Sequence, residues 1–219
     1  MNHFETELEA LKGDFIKMWE LALSQLKGSL TALSNMDKEL AQEILYGEKK
    51  VNELELKIEK SCENIIALYN PVAVDLRFVL ALIKINTNLE KVGDLASRIS
   101  KFITKSGSPF FTELITKTQT LEMFEEACDL LEDALQAFKS GDSQKARLIF
   151  KRDKYINEIN KSAFLAIIDS IKENPDHIED YLKMLSLTRR IEKAGDISKS
   201  IAEEIVFYIE AKVIRHREK

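Results

Sequence analysis

Two stretches of the chain carry apolar residues at spacings that alternate between three and four. This spacing is typical of a helix that buries one face along its whole length against other helices. The first seam consists of Leu82, Ile85, Leu89, Val92, Ala96, Ile99 and Ile103. The second consists of Met184, Leu187, Ile191, Ala194, Ser198, Ile201 and Ile205. We therefore predict one long, half-buried helix in each half of the chain.

Residues that would interrupt a helix are few. The 219 residues include only 7 glycines and 3 prolines, which favours long helices over a turn-rich β protein. Asp37 is placed to cap the helix that follows it, and Asn70 is predicted to be an N-cap with Pro71 in the first helical position. The clearest linker is 106–109. The predicted segments are 5–34, 37–68, 71–105, 109–139, 142–173 and 175–216.

The two halves repeat each other. A shift of 105 residues places Glu53 on Glu158, and a shift of 102 places Gly93 on Gly195. The fold class predicted from this repeat is all-α, with six long helices in two tandem, spectrin-repeat-like three-helix bundles. The predicted domains are 1–106 and 107–219.

Each half also repeats an acidic word. The two copies are Glu90-Lys91-Val92-Gly93-Asp94 and Glu192-Lys193-Ala194-Gly195-Asp196. In a helix the two carboxylates of each copy lie one turn apart, and like charges at this spacing destabilise the helix slightly. We therefore expect a positive charge close to each pair.

The second helix of each half adds an acid and an asparagine four residues apart. These are Glu48 with Asn52, and Asp153 with Asn157. If the second and third helices pack antiparallel, these pairs lie level with the acidic words. Carboxylate and amide oxygens suit magnesium, manganese, calcium or iron. The predicted metal ligands are Glu48, Asn52, Glu90, Asp94, Asp153, Asn157, Glu192 and Asp196.

Simpler interpretations exist for the same residues. A single acidic pair on a helix is usually a solvated face, and an asparagine can bond neighbouring backbone or water. Gly93 and Gly195 are compatible with close helix approach as well as with access of a ligand to the acidic face. Phe15 and Trp19 are predicted to be core or seam residues of the first helix.

Composition and charge exclude some functions. A net charge of −5 argues against nucleic-acid binding, which needs a basic surface. Cys62 and Cys128 form no CxxC pair and are predicted to be buried free thiols, which suits a reducing cytoplasm. The first residues do not resemble a signal peptide, and no apolar run reaches the roughly 20 residues of a membrane span. We predict a cytoplasmic protein without membrane insertion.

These words together resemble the PhoU family of phosphate-signalling regulators. The resemblance is carried by residues 70–77 (Asn-Pro-Val-Ala-Val-Asp-Leu-Arg), by both acidic words and by the Arg215-His216 ending, and it spans essentially the whole chain. It implies two three-helix bundles with acidic metal-cluster sites built on the ligand residues named above. Iron or another hard cation, such as magnesium or manganese, is the implied cofactor. Lys91 and Lys193 replace the arginine that is common in the family, and Glu48 replaces an aspartate.

The resemblance also implies a function and partners. The expected role is a non-catalytic negative regulator that links the ATPase subunit of a phosphate ABC transporter to a sensor histidine kinase, and a homodimer is expected. Asp75, Arg77 and Arg189 are candidate docking or structural residues. The alternatives are an accessory protein of a low-affinity phosphate permease and a carboxylate-bridged di-metal enzyme. The enzyme typically needs Glu-x-x-His words, and none precedes His177 or His216.

Overall fold

The computed structural model describes residues 3–105 and 109–214, which form seven α-helices and one short 3-10 helix. The predicted linker residues 106–108 and the Arg215-His216 ending lie outside this part. The α-helices are α1 (His3–Asn35), α2 (Lys38–Tyr69), α3 (Ala73–Lys105), α4 (Pro109–Lys117), α5 (Thr120–Ser140), α6 (Ser143–Glu173) and α7 (Ile178–Glu210), and the 3-10 helix is Pro175–His177.

The helices form two bundles that pack against each other. In the first half α1, α2 and α3 contact one another, and in the second half α5, α6 and α7 do the same, with α4 lying against α5 and α7. The halves meet where α3 packs on α7 and α1 packs on α5. The all-α class of two three-helix units is confirmed, and the exact domain boundaries stay a prediction. None of the described helices is long and apolar enough to cross a membrane.

Both predicted seams are buried over their whole length. Every one of their residues, Ser198 included, has no exposed surface. Phe15 and Trp19 are also fully buried, which confirms their prediction as core residues. Trp19 additionally donates its indole N–H to the carbonyl oxygen of Leu131 on α5 at 3.2 Å. This bond ties α1 of the first half to α5 of the second.

An aromatic cluster joins the two halves. The ring of Phe138 on α5 lies 5.1 Å from Phe15 and 5.6 Å from Trp19, measured between ring centroids. On its other side it lies 6.1 Å from Phe78 of α3 and 5.9 Å from Tyr208 of α7. Because Phe138 contacts four rings on three other helices, the cores of the two halves are continuous at this point.

Asp37 caps a helix as predicted and Asp142 does the same in the second half, but Asn70 differs from its prediction. Asp37 and Asp142 each accept two backbone N–H bonds at 2.9–3.1 Å as N-caps of α2 and α6. Asn70 was predicted to begin the third helix, and that is wrong. It ends α2 in a left-handed conformation with φ 47°, and α3 begins two residues beyond Pro71, at Ala73. Asparagine tolerates this conformation better than most residues, so it serves at either end of a helix.

The fourth predicted segment is two helices, so the described part has seven rather than six. The helix is interrupted at Gln119, whose φ is 51°. The hydroxyl of Thr118 donates to the carbonyl oxygen of Leu114 at 2.6 Å and shares a second hydrogen bond with the Thr120 hydroxyl. Such local bonds compete with the helical ladder. The last helix also ends earlier than predicted, because Ala211 terminates α7 in a left-handed conformation.

The two cysteines are free and buried, as predicted. Cys62 has no exposed surface and Cys128 is 2% exposed. Burial raises the pKa of each thiol to about 12. Both therefore stay protonated at neutral pH and pack as small apolar side chains.

Candidate metal centres

The second and third helices of each half pack antiparallel, so the acid on the second helix faces the acidic word on the third. In the first half, the Asn86 side chain on α3 donates to the Glu55 carbonyl on α2 at 2.9 Å, and the Ser97 hydroxyl donates to the Glu48 carboxylate. In the second half, the ammonium of Lys199 on α7 lies 3.5 Å from Asp153 Oδ2 on α6. This register places the acid of each second helix level with the acidic word beside it.

Asp153 is the most buried of the predicted ligands. Its side chain is on the inner face of α6, and the residue is 1% exposed. Oδ2 accepts from Asn157 at 3.4 Å and from Lys199 at 3.5 Å, but the buried Oδ1 has no hydrogen-bond partner. Burial raises the pKa of this carboxyl; Lys199 opposes the shift, and the nearby Asp196 carboxylate adds to it. An unpaired buried carboxylate oxygen is costly unless something binds it.

The glutamates of the two acidic words have similar surroundings. Burial raises the pKa of Glu90, and Asp94 and Glu48 raise it further. Burial likewise raises the pKa of Glu192, and Asp196 and Asp153 add to the shift. The carboxylates of α2 and α3, and those of α6 and α7, are thus close enough to repel each other. A cation placed among them would relieve this repulsion.

The positive charge expected beside each acidic pair comes from the same helix. Arg98 Nε lies 2.8 Å from Asp94 Oδ2, and Lys193 Nζ lies 3.2 Å from Asp196 Oδ2. Both pairs lie on the surface, where such bridges contribute little stability. They offset the repulsion at the aspartates but leave Glu90 and Glu192 without a salt bridge inside the described chain.

The two glycines let the second helices approach the acidic words. A Cβ on Gly93 would lie 2.8 Å from Val51 Cγ1, and one on Gly195 would lie 2.8 Å from Ile156 Cδ1. Both distances are too short for a real Cβ, so close helix packing explains both glycines. At Gly195 the same Cβ would also lie 3.1 Å from Asp153 Oδ1. This glycine therefore also leaves room for the buried carboxylate.

The donor set suits a hard cation. In each half it consists of carboxylate and amide oxygens, and in the second half it includes the orphaned Oδ1 of Asp153. Within 3–105 and 109–214, no three His, Cys, Asp or Glu side chains are already gathered closely enough to hold a metal ion. Asn52 and Asn157 are exposed and Glu48 is half-buried. Side chains would have to move to bring the oxygen ligands of either half around one ion, and the metal sites stay a prediction.

Sequence reasoning missed Ser97 and Lys199. They occupy equivalent places in the two halves, 102 residues apart, and each reaches across to the acid of its second helix. Each lies seven residues after the glutamate of its acidic word, and so on the same helix face. That spacing could have identified both. The difference matters because a serine leaves the Glu48 charge unneutralised, whereas Lys199 partly neutralises Asp153.

The candidate docking residues are spread over α3 and α7. Asp75 and Arg77 are half-buried near the start of α3, and they form no ion pair with each other or with any other described residue. Arg77 Nε is buried without a hydrogen-bond partner. Arg189 is exposed on α7, beside the second acidic word. These three residues are therefore not brought together in one site.

Comparison with known proteins identifies a family for both halves. The family model described as the PhoU domain matches residues 15–103 and 120–205. The chain is 32% identical to the phosphate-specific transport system accessory protein PhoU of Edwardsiella tarda, over 97% of this chain and 87% of that protein. It is 31% identical to PhoU homolog 1 of Thermotoga maritima, over 94% of this chain and 88% of that one.

Solved structures agree with the sequence comparison. The crystal structure of PhoU from Pseudomonas aeruginosa matches with a TM-score of 0.88 and 25% identity, over 96% of this chain and all of that one. The phosphate transport system regulatory protein PhoU from Streptococcus pneumoniae matches with a TM-score of 0.84 and 25% identity, over 96% and 99% of the two chains. Both likenesses extend over the two halves together.

Proposed function

The chain belongs to the PhoU family, and on that premise we propose that it is a non-catalytic accessory and regulatory protein of phosphate transport. The observation that carries the proposal is the match of both halves, in sequence and in fold, to proteins named for that system. A helical scaffold with charged side chains on its surface suits a protein that works by contact.

The specific role proposed is that of an adaptor. It would contact the ATPase subunit of a phosphate ABC transporter and a sensor histidine kinase in the cytoplasm, and keep the kinase from signalling when phosphate is abundant. The acidic words on α3 and α7 support this role, because paired, half-buried carboxylates that remain accessible attract basic surfaces. A homodimer would present each acidic face twice.

A cation in each half is a second part of the proposal. Glu48, Glu90 and Asp94 would hold it in the first half, and Asp153, Glu192 and Asp196 in the second, with Asn52 and Asn157 as companions. A hard divalent or trivalent ion, such as iron, manganese or magnesium, suits these oxygens. It would offset the mutual repulsion of these carboxylates and fix the spacing of α2 from α3 and of α6 from α7.

The adaptor role is tested by co-purification from cells grown in high and in low phosphate. We expect the tagged full-length protein to capture the transporter ATPase and the kinase, with amounts that change with phosphate. The double variant Glu90→Gln with Asp94→Asn should capture about tenfold less if the acidic face is the contact. Glu63→Gln, which neutralises an exposed acid on α2, should behave like the unchanged protein. Capture of neither partner in either medium would contradict the adaptor role.

A further inference from the structure

A basic cleft lies between α3 and α7, and Asp94 is the only acid of the two acidic words that lines it. The two helices run antiparallel, as shown by the Arg190 guanidinium donating to the Arg98 carbonyl at 3.2 Å and by Lys84 bonding Glu204 at 3.2 Å. The cleft between them has a volume of about 620 Å³. This lies within the range of small-molecule sites, about 300–1,000 Å³.

The cleft combines an apolar floor with a cationic rim. Leu95 and Ile197 are buried at its base, Leu185 is half-buried, and Leu182 is 56% exposed at one edge. Five cations line it, against a single carboxylate, that of Asp94. The lining cations are Lys91, Arg98, Arg189, Arg190 and Lys193.

Three of these cations form no direct ion pair. Arg98 is paired with Asp94 and Lys193 with Asp196. By contrast, Lys91, Arg189 and Arg190 form no ion pair within 4.0 Å with any residue of the described ranges. The hydrogen bond of Arg190 goes to the backbone carbonyl of Arg98 instead, which holds its guanidinium at the cleft without cancelling its charge.

The arginines of the cleft are not repeated at the equivalent positions of the other half. Under the 102-residue shift between α3 and α7, Arg98 corresponds to Ser200, and Arg189 and Arg190 correspond to Thr87 and Asn88. If arginines were needed simply to pack α3 against α7, the equivalent positions of the repeat would also carry them. None of these equivalent positions has an arginine, so packing of the repeated helices does not require the arginines.

We propose that this cleft binds an organic phosphate, in which a chain of phosphate groups is attached to an apolar ring, as in a nucleoside triphosphate. Arginine donates paired hydrogen bonds to phosphate oxygens, and its planar group also stacks on aromatic rings. The leucine and isoleucine floor would take the ring. Orthophosphate alone is too small to contact both the floor and the cations at the rim. Binding at this cleft goes beyond the adaptor role, because it depends on the cations between α3 and α7 and not on the paired carboxylates proposed as the docking face.

The test is calorimetric titration of the full-length protein with ATP, in EDTA so that no metal bridges ATP to the carboxylates. The double variant Lys91→Gln with Arg189→Gln should bind about tenfold more weakly than the unchanged protein, because each lost cation removes a charge-assisted contact. The control variant, Lys60→Gln with Lys145→Gln, removes the same charge from exposed sites on α2 and α6 and should bind within about twofold of it. No heat of binding at millimolar ATP, or equal weakening in the control, would overturn the proposal.

Two further titrations distinguish the source of the phosphate chemistry. Tripolyphosphate carries the phosphate chain without the ring and should bind about tenfold more weakly than ATP. Leu182→Ser changes an exposed residue and so should fold normally, and it should weaken ATP binding while leaving tripolyphosphate binding unchanged. Equal affinity for the two ligands, with no effect of Leu182→Ser, would overturn the organic-phosphate assignment. Displacement of ATP by an acidic helical peptide that binds more tightly would favour a protein segment as the occupant and would also overturn it.

Discussion

Replacing Phe138 by alanine is expected to lower the free energy of unfolding by about 3–5 kcal/mol, the usual cost of removing a buried aromatic ring. Phe138 is 3% exposed, and its ring contacts Phe15, Trp19, Phe78 and Tyr208. The cavity would open between α1, α3, α5 and α7. Because these rings come from both halves, the loss should also weaken the coupling of the two bundles.

Urea unfolding followed by circular dichroism and by the fluorescence of Trp19, the single tryptophan, measures both effects. Trp19 reports on the boundary between the halves, whereas circular dichroism reports on all helices. The control is Phe164→Ala, at a residue that is 41% exposed, and it should cost less than about 1 kcal/mol. If Phe138→Ala is no more destabilising than the control, the described packing between the halves is wrong.

Replacing Asp153 by asparagine is expected to stabilise the metal-free protein at pH 7 by about 1 kcal/mol, because a buried charge is replaced by a neutral group. Asp153 is 1% exposed and its Oδ1 has no partner. The Lys199 ammonium that would lose its bridge lies partly in water and can be solvated. A stabilising change at a buried polar residue indicates a position kept for function rather than for folding.

The stability gained by Asp153→Asn should depend on pH in one direction. Burial raises the folded-state pKa of Asp153 above the value of about 3.9 in an unfolded chain. The contribution of the Asp153 carboxyl to the stability of the folded protein is therefore most favourable below the unfolded-state pKa. This contribution is lost as the pH rises through the folded-state pKa. The advantage of Asp153→Asn should therefore be larger at pH 7 than at pH 4. Urea unfolding in EDTA at both pH values measures this, and an advantage that is unchanged by pH would contradict the buried-charge explanation.

The same substitution should reduce metal content. If each half holds a cation, Asp153→Asn should leave about half of the metal of the unchanged protein, because only the second set loses a carboxylate ligand. Elemental analysis after equilibration with iron or manganese gives the value. Asp176→Asn, at an exposed aspartate in the 3-10 helix, should keep all of it. Unchanged metal content in Asp153→Asn would remove this residue from the ligand set.

Patterns that depend on neighbours in sequence predicted the fold well. The three-and-four spacing identified both seams, and the structure buries every seam residue completely. Asp37 was identified as a cap because a short acidic side chain before an apolar run has one common use. The 102-residue repeat aligned α3 with α7, and the comparisons place both halves in one family.

Features that depend on a choice between local conformations were harder to predict from the sequence. Asparagine before proline fits both ends of a helix, and here Asn70 ends α2 instead of beginning α3. The break at Gln119 depends on which hydrogen bonds the Thr118 and Thr120 hydroxyls make, and three threonines in this run are also compatible with a continuous helix.

The candidate sites were predicted in part. The position of Glu48 opposite the first acidic word was predicted from the antiparallel packing of α2 and α3. The cross-helix contacts of Ser97 and Lys199 followed from the same spacing but were not recognised. The basic cleft could not be found along either helix alone, because its cations come from both helices and converge only when α3 lies against α7.

The most direct test of the regulatory role is a phosphate-starvation reporter in cells grown with abundant phosphate. Deletion of this chain should switch the reporter on, and returning the unchanged protein should switch it off again. Returning the variant Glu90→Gln with Asp94→Asn should leave the reporter largely on, provided that the variant accumulates to the normal level. A reporter that stays silent in the deletion strain would contradict negative regulation of phosphate signalling by this protein.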